Sequence, residues 1–213
     1  MEIKNQNALD RFINKTRDLF ASEPVPDKRW TALSKILAEL LADPEVIEAS
    51  KEWPDCTFLD GRPENLLFYE DPVYKFAVNG LIKGAARQGQ RTNIHDHAHT
   101  YTLYGVLSGH ERVERYERMD NRSRPSVAEI RKTTDTLVGA GKIDLVKPYE
   151  IHAELTIGER TVAVIIRSEK VGGFNQGRYH LKTNEYLETL GPRQTPVEML
   201  PQKATRINIA KRA

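Results

Sequence analysis

Apolar residues recur at three- and four-residue spacing within the first fifty residues of the chain. In the stretch 29–50 the repeat runs through Trp30, Leu33, Ile36, Leu37, Leu40 and Leu41. This is the period of one face of an α-helix. We predict helices over residues 8–22 and 29–50, separated by the proline-containing segment 23–27, with Asp27 as the cap of the second helix. Amphipathic helices of this kind pack their apolar face against a sheet or another helix.

From Asn65 onward the pattern changes to short runs of β-forming residues separated by turn signals such as Ser108-Gly109. Strands are predicted over residues 66–70, 74–82, 101–107, 110–118, 127–132, 143–146 and 160–167. Many short strands with regular turns are typical of an all-β sandwich or barrel. The predicted fold class is therefore mainly β with N-terminal α-helices.

The same patterns predict three regions. Residues 1–64 form a helical region packed on the barrel, and residues 65–185 form the barrel itself. Residues 186–213 contain Gly191-Pro192, Pro196 and a basic end, and we predict a loosely packed extension.

Composition narrows the class of protein. The chain has 213 residues with a formal net charge of +2, so we expect neither nucleic-acid nor membrane partners. Cys56 is the only cysteine, which excludes an intramolecular disulfide and fits a reducing compartment. The N-terminus lacks the apolar core of a signal peptide, and no apolar run approaches a membrane span. We expect a cytoplasmic protein.

Three of the six histidines fall within five residues, at His95, His97 and His99. On a strand, residues i and i+2 point to the same face, so His95 and His97 can direct two imidazoles at one metal ion. His99 lies roughly 13 Å beyond His95 on an extended strand and cannot share that ion unless the strand bends. A third ligand must come from elsewhere, and His152 is the best candidate.

These residues carry a resemblance to a known family. The stretch Gly89 to His97 ends in Ile94-His95-Asp96-His97, the turn Leu107-Ser108-Gly109 follows, and His152 stands alone further along. The combination resembles the cupin barrel, and within the cupins it is most similar to the cysteine dioxygenase family of thiol dioxygenases. The resemblance covers residues 65–185. It implies a double-stranded β-helix (jelly-roll) barrel preceded by α-helices.

The resemblance further implies a mononuclear Fe(II) centre held by neutral His95, His97 and His152, and a dioxygenase activity. Most cupins carry a glutamate in the first motif as a fourth ligand, but the corresponding stretch 101–103 has no carboxylate. The thiol dioxygenases also lack it. Three protein ligands leave positions open for both substrate and O2. Zinc, nickel or manganese would also suit three imidazoles.

The residues with which the thiol dioxygenases bind and orient their substrate are replaced in this chain. Their Ser-x-His-x-Tyr strand is matched by Ile165, Arg167 and Glu169, and their crosslinking cysteine is matched by Thr102. Their carboxylate-binding arginine has its nearest match in residues 68–70, which contain no arginine. We therefore expect a substrate other than cysteine.

Arg167 is the first candidate for contact with that substrate. If residues 165, 167 and 169 share the inner face of a strand, Arg167 is a buried cation that must pair with a carboxylate or bind an anion. Two alternatives stay open. Glu169 is the structural partner of Arg167, or Arg167 binds a substrate carboxylate while Glu169 acts as a base.

Four further residues complete the predicted site. Tyr101 is a candidate for a catalytic hydroxyl. Tyr69, His99 and Thr102 are candidates for contacts with the substrate. For the tyrosines, ordinary packing in the sheet is the competing interpretation.

The sequence thus predicts an iron-dependent cupin dioxygenase that acts on a small, acidic substrate together with O2. The first alternative is a non-oxidative metal-dependent cupin, a lyase, isomerase or hydrolase that uses zinc, nickel or manganese. The second is a cupin that binds a small molecule without catalysis. The oligomeric state is left open, with a homodimer among the outcomes.

Overall fold

The computed structural model describes residues 6–59, 62–158 and 160–201. It begins with three helices, α1 (Ala8–Ser22), α2 (Pro26–Leu41) and α3 (Pro44–Ala49). The predicted helix over 8–22 is confirmed. None of the helices in these ranges is both long and apolar enough to cross a membrane.

The single helix predicted over 29–50 is wrong, because Asp43 and Pro44 divide that region into two helices. Pro26 occupies the first turn of α2, where its fixed φ suits a helix start, so the helix begins before Asp27. Asp27 is therefore a residue of the first turn and not the cap. Asp43 is the N-cap of α3, and its side chain accepts a hydrogen bond from the Glu45 N–H at 2.9 Å. Pro44 is the first residue of α3.

In the rest of the described chain, the regular elements are strands joined by turns and loops, apart from one short 3₁₀ turn at Ala85–Arg87. The strands are β1 (Phe58–Leu59), β2 (Arg62–Glu70), β3 (Ala77–Lys83), β4 (Ile94–His95), β5 (Thr102–Ser108), β6 (His110–Arg118), β7 (Ile130–Gly139), β8 (Ile143–Val146), β9 (Ile151–Thr156), β10 (Thr161–Arg167), β11 (Asn175–His180), β12 (Glu185–Leu190) and β13 (Arg193–Pro196).

Two sheets face each other. One has the order β1-β2-β3-β10-β5-β8, with β13 added on β2. The other has the order β12-β11-β4-β9-β6-β7. Consecutive strands repeatedly cross from one sheet to the other, as in a jelly roll. The prediction of a mainly β barrel with N-terminal helices is confirmed.

Strand β10 is buried along its whole length because both of its faces are covered. Val162, Val164 and Ile166 lie in the core shared with the helices, whereas Ala163 and Ile165 lie in the core between the two sheets. Alternation along the strand then turns Arg167 toward the space between the sheets. The helices cover the outer face.

Gly105 permits the close approach of the helices to the sheet. A Cβ atom at this position in β5 would lie 2.7 Å from Cδ1 of Leu41 in α2. Real Cβ atoms do not approach other carbons this closely, so any larger residue would force the side chain of Leu41 to move.

Residues 185–201 are better packed than the predicted extension. Strand β12 pairs with β11 along its full length, and β13 runs parallel to β2. Beyond β13, the indole N–H of Trp53 donates to the Met199 carbonyl at 2.9 Å. The expectation of loose packing is wrong for this part, because strand pairing continues past residue 185. The basic residues from Lys203 onward lie outside the described ranges, and the domain boundaries themselves stay predictions.

Candidate metal centre and its cavity

Three histidines converge between the two sheets. His95 in β4 lies directly opposite His152 in β9, and their ring centres are 4.4 Å apart. The His97 ring lies 5.1 Å from that of His95 and 4.7 Å from that of His152. The possible ligand atoms of all three lie within 4.8 Å of one another. This is close to the span of two metal–nitrogen bonds of about 2.1 Å each.

His97 reaches this point by a turn and not by strand alternation. Strand β4 ends at His95, and Ala98 adopts a left-handed φ of 50°. Asp96 holds the turn: its carboxylate accepts hydrogen bonds from Ala98 N–H, Gly177 N–H and the Tyr179 hydroxyl at 2.7–3.0 Å. The buried carboxylate therefore fixes the backbone on which His97 stands.

The hydrogen bonds of the histidines leave atoms free for a metal. Nδ1 of His95 lies 2.9 Å from the Asn93 carbonyl, and Nδ1 of His152 lies 3.2 Å from the Glu150 carbonyl. A carbonyl only accepts, so both Nδ1 atoms carry the proton, and each Nε2 has a free lone pair. Within the described part of the chain, Nε2 of His152 and Nδ1 of His97 are buried without a hydrogen-bond partner. These orphaned atoms fit a divalent metal ion.

Burial favours the neutral form of two of the imidazoles. It lowers the pKa of His95 to about 4 and that of His97 well below its ordinary value, and the neighbouring His152 adds to both shifts. For His152, burial would also lower the pKa, but the Glu154 carboxylate raises it overall. A metal binds neutral imidazole, so two of the three ligands are already in the binding form at neutral pH.

Glu154 is a site residue that the sequence reasoning missed. Its Oε1 lies 3.4 Å from Nε2 of His152, too far for a well-formed hydrogen bond. The Thr92 hydroxyl donates to Oε2 at 2.7 Å and holds the carboxylate in place. Burial would raise the pKa of Glu154, yet His152 and the other positive groups lower it well below its usual range. The period of two along β9 from His152 could have found it.

The histidines and Glu154 open onto a cavity of about 600 Å³ between the sheets. Part of the lining is apolar and comes from both sheets, with Leu81, Val113, Val146 and Ile165. Cavities of this size hold small molecules. The centre is thus accessible to a ligand from inside the barrel.

Arg167 lines the same cavity and is only 4% exposed. Its Nη2 donates to Oδ1 of Asn65 at 3.1 Å, whereas Nε and Nη1 have no partner among the described residues. Burial lowers the pKa of Arg167 to about 10, and the charge of Glu154 opposes that shift. The guanidinium is therefore charged at neutral pH, without a hydrogen-bonded carboxylate.

Gln176 was also missed by the sequence reasoning. It lies in β11 of the facing sheet, lines the cavity and is buried. Its Nε2 has no hydrogen-bond partner within the described ranges. Together with Arg167, it offers the cavity unpaired donors from both sheets.

Glu169 does not pair with Arg167, contrary to the first of the two alternatives. Strand β10 ends at Arg167, so the alternation does not continue to residue 169. Glu169 lies at the surface, where its Oε2 is 3.1 Å from Nε2 of His99. Neither residue lines the cavity.

The two predicted tyrosines are engaged elsewhere. The Tyr101 hydroxyl donates to Asp27 at 2.6 Å, and its ring stacks on Trp30. The Tyr69 hydroxyl donates to Asp71 and accepts from Arg17. The cavity walls include neither, so the roles predicted for them have no support from this geometry.

Thr102, in contrast, lines the cavity as predicted for a substrate contact. Its hydroxyl is buried and makes no hydrogen bond within the described part of the chain. In the register of β5 and β10 it lies opposite Arg167. The two residues therefore form one end of the cavity, and their assignment to substrate stays a prediction.

Neither a protein-family model nor a curated protein sequence matches this chain. Solved structures do match over part of the chain. The cupin domain of Schizosaccharomyces pombe Cnp3 has 9% identity and a TM-score of 0.39, covering 55% of this chain and 69% of that chain. KdgF from Halomonas sp. has 12% identity and a TM-score of 0.40, covering 55% and 87%.

A third match is an uncharacterised conserved protein with a double-stranded β-helix domain from Klebsiella pneumoniae subsp. pneumoniae. It has 20% identity and a TM-score of 0.38, covering 55% of this chain and 80% of that chain. All three TM-scores are 0.40 or lower, and nothing in these matches is specific to thiol dioxygenases.

Proposed function

We propose that the protein is a metal-dependent enzyme that acts on a small anionic substrate inside the barrel. His95, His97 and His152 are the proposed metal ligands. The proposal rests on one observation: three imidazoles with converging ligand atoms share a cavity with a buried arginine that has unpaired donors. A buried cation without a carboxylate partner is costly unless an anion binds it.

Arg167 would hold the anionic group of the substrate. Its unpaired Nε and Nη1 can each donate a hydrogen bond to an anionic substrate, and Gln176 can add another from the facing sheet. The apolar wall around Ile165 excludes water from the bound molecule. These residues orient the substrate and set its distance from the histidines.

Within this class we propose an Fe(II)-dependent dioxygenase. Three imidazole ligands leave coordination positions open, as an oxygenase requires. When bound, iron would supply the electrons and the open positions needed to combine a substrate with O2. The chain contributes the neutral ligands, the binding of the acid group and the exclusion of bulk water.

Glu154 favours a second candidate, a non-oxidative enzyme with zinc, nickel or manganese as a Lewis acid. A carboxylate beside three imidazoles adds negative charge to the centre and favours a hard divalent cation. A lyase, isomerase or hydrolase would use such a centre to polarise a carbonyl group of the substrate.

One experiment separates the two candidates. Protein purified without oxygen is analysed for metals by mass spectrometry, then screened with small acids in an oxygen electrode. We expect about one iron per chain and O2 consumption that Arg167→Met reduces strongly. A bound redox-inert metal with turnover but no O2 consumption supports the second candidate. Ligand binding without any metal contradicts both and indicates a cupin that only binds small molecules.

A further inference from the structure

Lys83 is a second buried cation in the wall of the cavity. It is 7% exposed and stands at the end of β3. Its Nζ lies 2.8 Å from Oε1 of Glu111, an ion pair whose alignment is too poor to count as a hydrogen bond. An ammonium group has three donors, so Lys83 keeps donors that no described residue satisfies.

A fixed network holds the Lys83 ammonium in place. Glu111 in β6 is wholly buried, and its other oxygen accepts a hydrogen bond from the Tyr104 hydroxyl at 2.8 Å. Tyr104 lines the cavity beside Lys83, whereas Glu111 lies behind them. The network ties both sheets together and presents the ammonium group, not the carboxylate, to the interior.

Stability alone does not account for this arrangement. A buried ion pair is no more stabilising than apolar residues of the same volume, because both charges lose their hydration. The neighbouring wall residues Leu81 and Val113 are apolar and would pack well against another apolar side chain. A lysine with unsatisfied donors at this position points to a ligand.

Lys83 and Arg167 lie at opposite ends of the paired strands β3 and β10. Arg167 lies opposite Ala77, and Lys83 lies opposite Thr161. Their Cα positions are thus about 20 Å apart along the strands. Both side chains line one cavity, and Arg167 reaches along it as far as Asn65, whose neighbour Leu66 lies opposite Gly80 in β3.

The charges around the cavity favour a ligand with two negative charges. Lys83 and Arg167 are two separate buried cations in the cavity wall, and each keeps donors that no described residue satisfies. Buried charge must be compensated. A ligand with two acidic groups achieves this, with one group at each cation.

We infer that the substrate is a small dianion, such as a dicarboxylate, held by Arg167 at one end and by Lys83 at the other. This inference rests on the acidic substrate of the proposed function and adds the second acid group. Lys83 is then a specificity-determining residue that separates diacids from monoacids.

Isothermal titration calorimetry on the full-length, metal-free protein tests the inference. Succinate, glutarate and adipate are compared with butyrate, valerate and hexanoate, the monoacids of equal carbon number. Absence of metal ensures that chelation cannot explain a preference for diacids. We expect at least one diacid to bind tenfold more tightly than its monoacid, which corresponds to about 1.4 kcal/mol.

Lys83→Met should remove this preference and leave monoacid affinity unchanged. Lys170→Met, at an exposed lysine paired with Glu70, is the matched control and should keep the preference. Because Lys83→Met leaves Glu111 buried without its partner, the double variant Lys83→Met with Glu111→Gln is measured as well. In that variant the amide oxygen can still accept from Tyr104.

A wild-type protein without diacid preference would overturn the inference, as would a preference that survives in the folded double variant. Arg167→Met distinguishes this failure from that of the proposed function. If acids bind through Arg167 but diacids gain nothing, only the inference is wrong. If acid binding does not depend on Arg167, the acidic substrate itself is wrong.

Discussion

Replacement of Arg167 by methionine separates a substrate-binding arginine from a structural one. The two roles predict opposite changes in the free energy of unfolding. A structural arginine pairs with a carboxylate, and its loss leaves a buried charge that costs about 3–5 kcal/mol. Among the described residues, the Arg167 side chain instead makes a single hydrogen bond, to Asn65.

The contacts of Arg167 give the expected change in the free energy of unfolding. Each buried donor without a partner costs about 1–3 kcal/mol, and Nε and Nη1 are two such donors. The cavity is large enough to admit water, which would satisfy part of this need, so we take the lower end, about 2 kcal/mol for the two donors. Loss of the bond to Asn65 costs about 1 kcal/mol, and the methionine stem keeps most of the packing. Arg167→Met should therefore stabilise the ligand-free fold by about 1 kcal/mol, or roughly 2–4 °C.

Denaturant unfolding of ligand-free protein measures this change. Arg115→Met is the matched control, because Arg115 contacts Asp144 at 2.6 Å and Glu150 at 3.1 Å. Its removal leaves two carboxylates without their partner and should destabilise the fold by about 2 kcal/mol or more. A loss of 3 kcal/mol or more in Arg167→Met would refute the reasoning, since it would reveal a structural ion pair.

Three further predictions concern other parts of the molecule. Asp71 is buried, and its pKa is lowered by hydrogen bonds that include one from Arg17. Asp71→Asn should lower the free energy of unfolding by about 1–3 kcal/mol. The pKa of Asp71 in the folded protein lies below the unfolded value of about 3.9. Its contribution to stability is therefore fully present above about pH 3.9 and is lost as the pH falls through the folded pKa. The free energies of unfolding of wild type and variant should accordingly converge in acid. A Cβ at Gly177 would lie 2.4 Å from Oδ2 of Asp96, so Gly177→Ala should displace the turn that carries His97 and weaken metal binding at least tenfold in a chelator competition. Cysteine should be turned over at least 100-fold less efficiently than the true acid, a difference of about 3 kcal/mol, and sulfinate formed at a comparable rate would contradict this.

The apolar patterns predicted most of the fold because they report burial. The run Val162–Ile166 is apolar at every position since helices cover one face of β10 and the other sheet covers the second. The ends of the helices were harder to predict from the sequence. The pattern of leucines continues across Asp43-Pro44, and only the local cap and proline chemistry shows that one predicted helix is two.

The site was predictable where ligands are close in sequence or carry a motif. His95, His97 and His152 converge, although His97 does so through a turn held by Asp96, which spacing alone does not reveal. Contacts that depend on where a strand ends were not predictable. Glu169 follows the end of β10 and leaves the interior for this reason.

Residues contributed singly by distant strands were missed altogether. Glu154, Gln176 and Lys83 each come from a different strand, and only the packing of the two sheets brings them to one cavity. Apart from Glu154, which follows His152 at the period of two along β9, no local pattern distinguishes them from the charged and polar residues that face solvent. Their role depends on tertiary structure.

Metal content tests the central claim most directly. Purified wild-type protein and the single alanine variants of His95, His97 and His152 are loaded with Fe(II) without oxygen, desalted and analysed by mass spectrometry. His99→Ala is the matched control, because His99 lies at the surface beside Glu169. We predict about one metal per chain in the wild type and in His99→Ala, and loss of stoichiometric binding in the other three, since two imidazoles hold a divalent ion far less well than three. Full occupancy in His152→Ala would contradict the assignment of the centre.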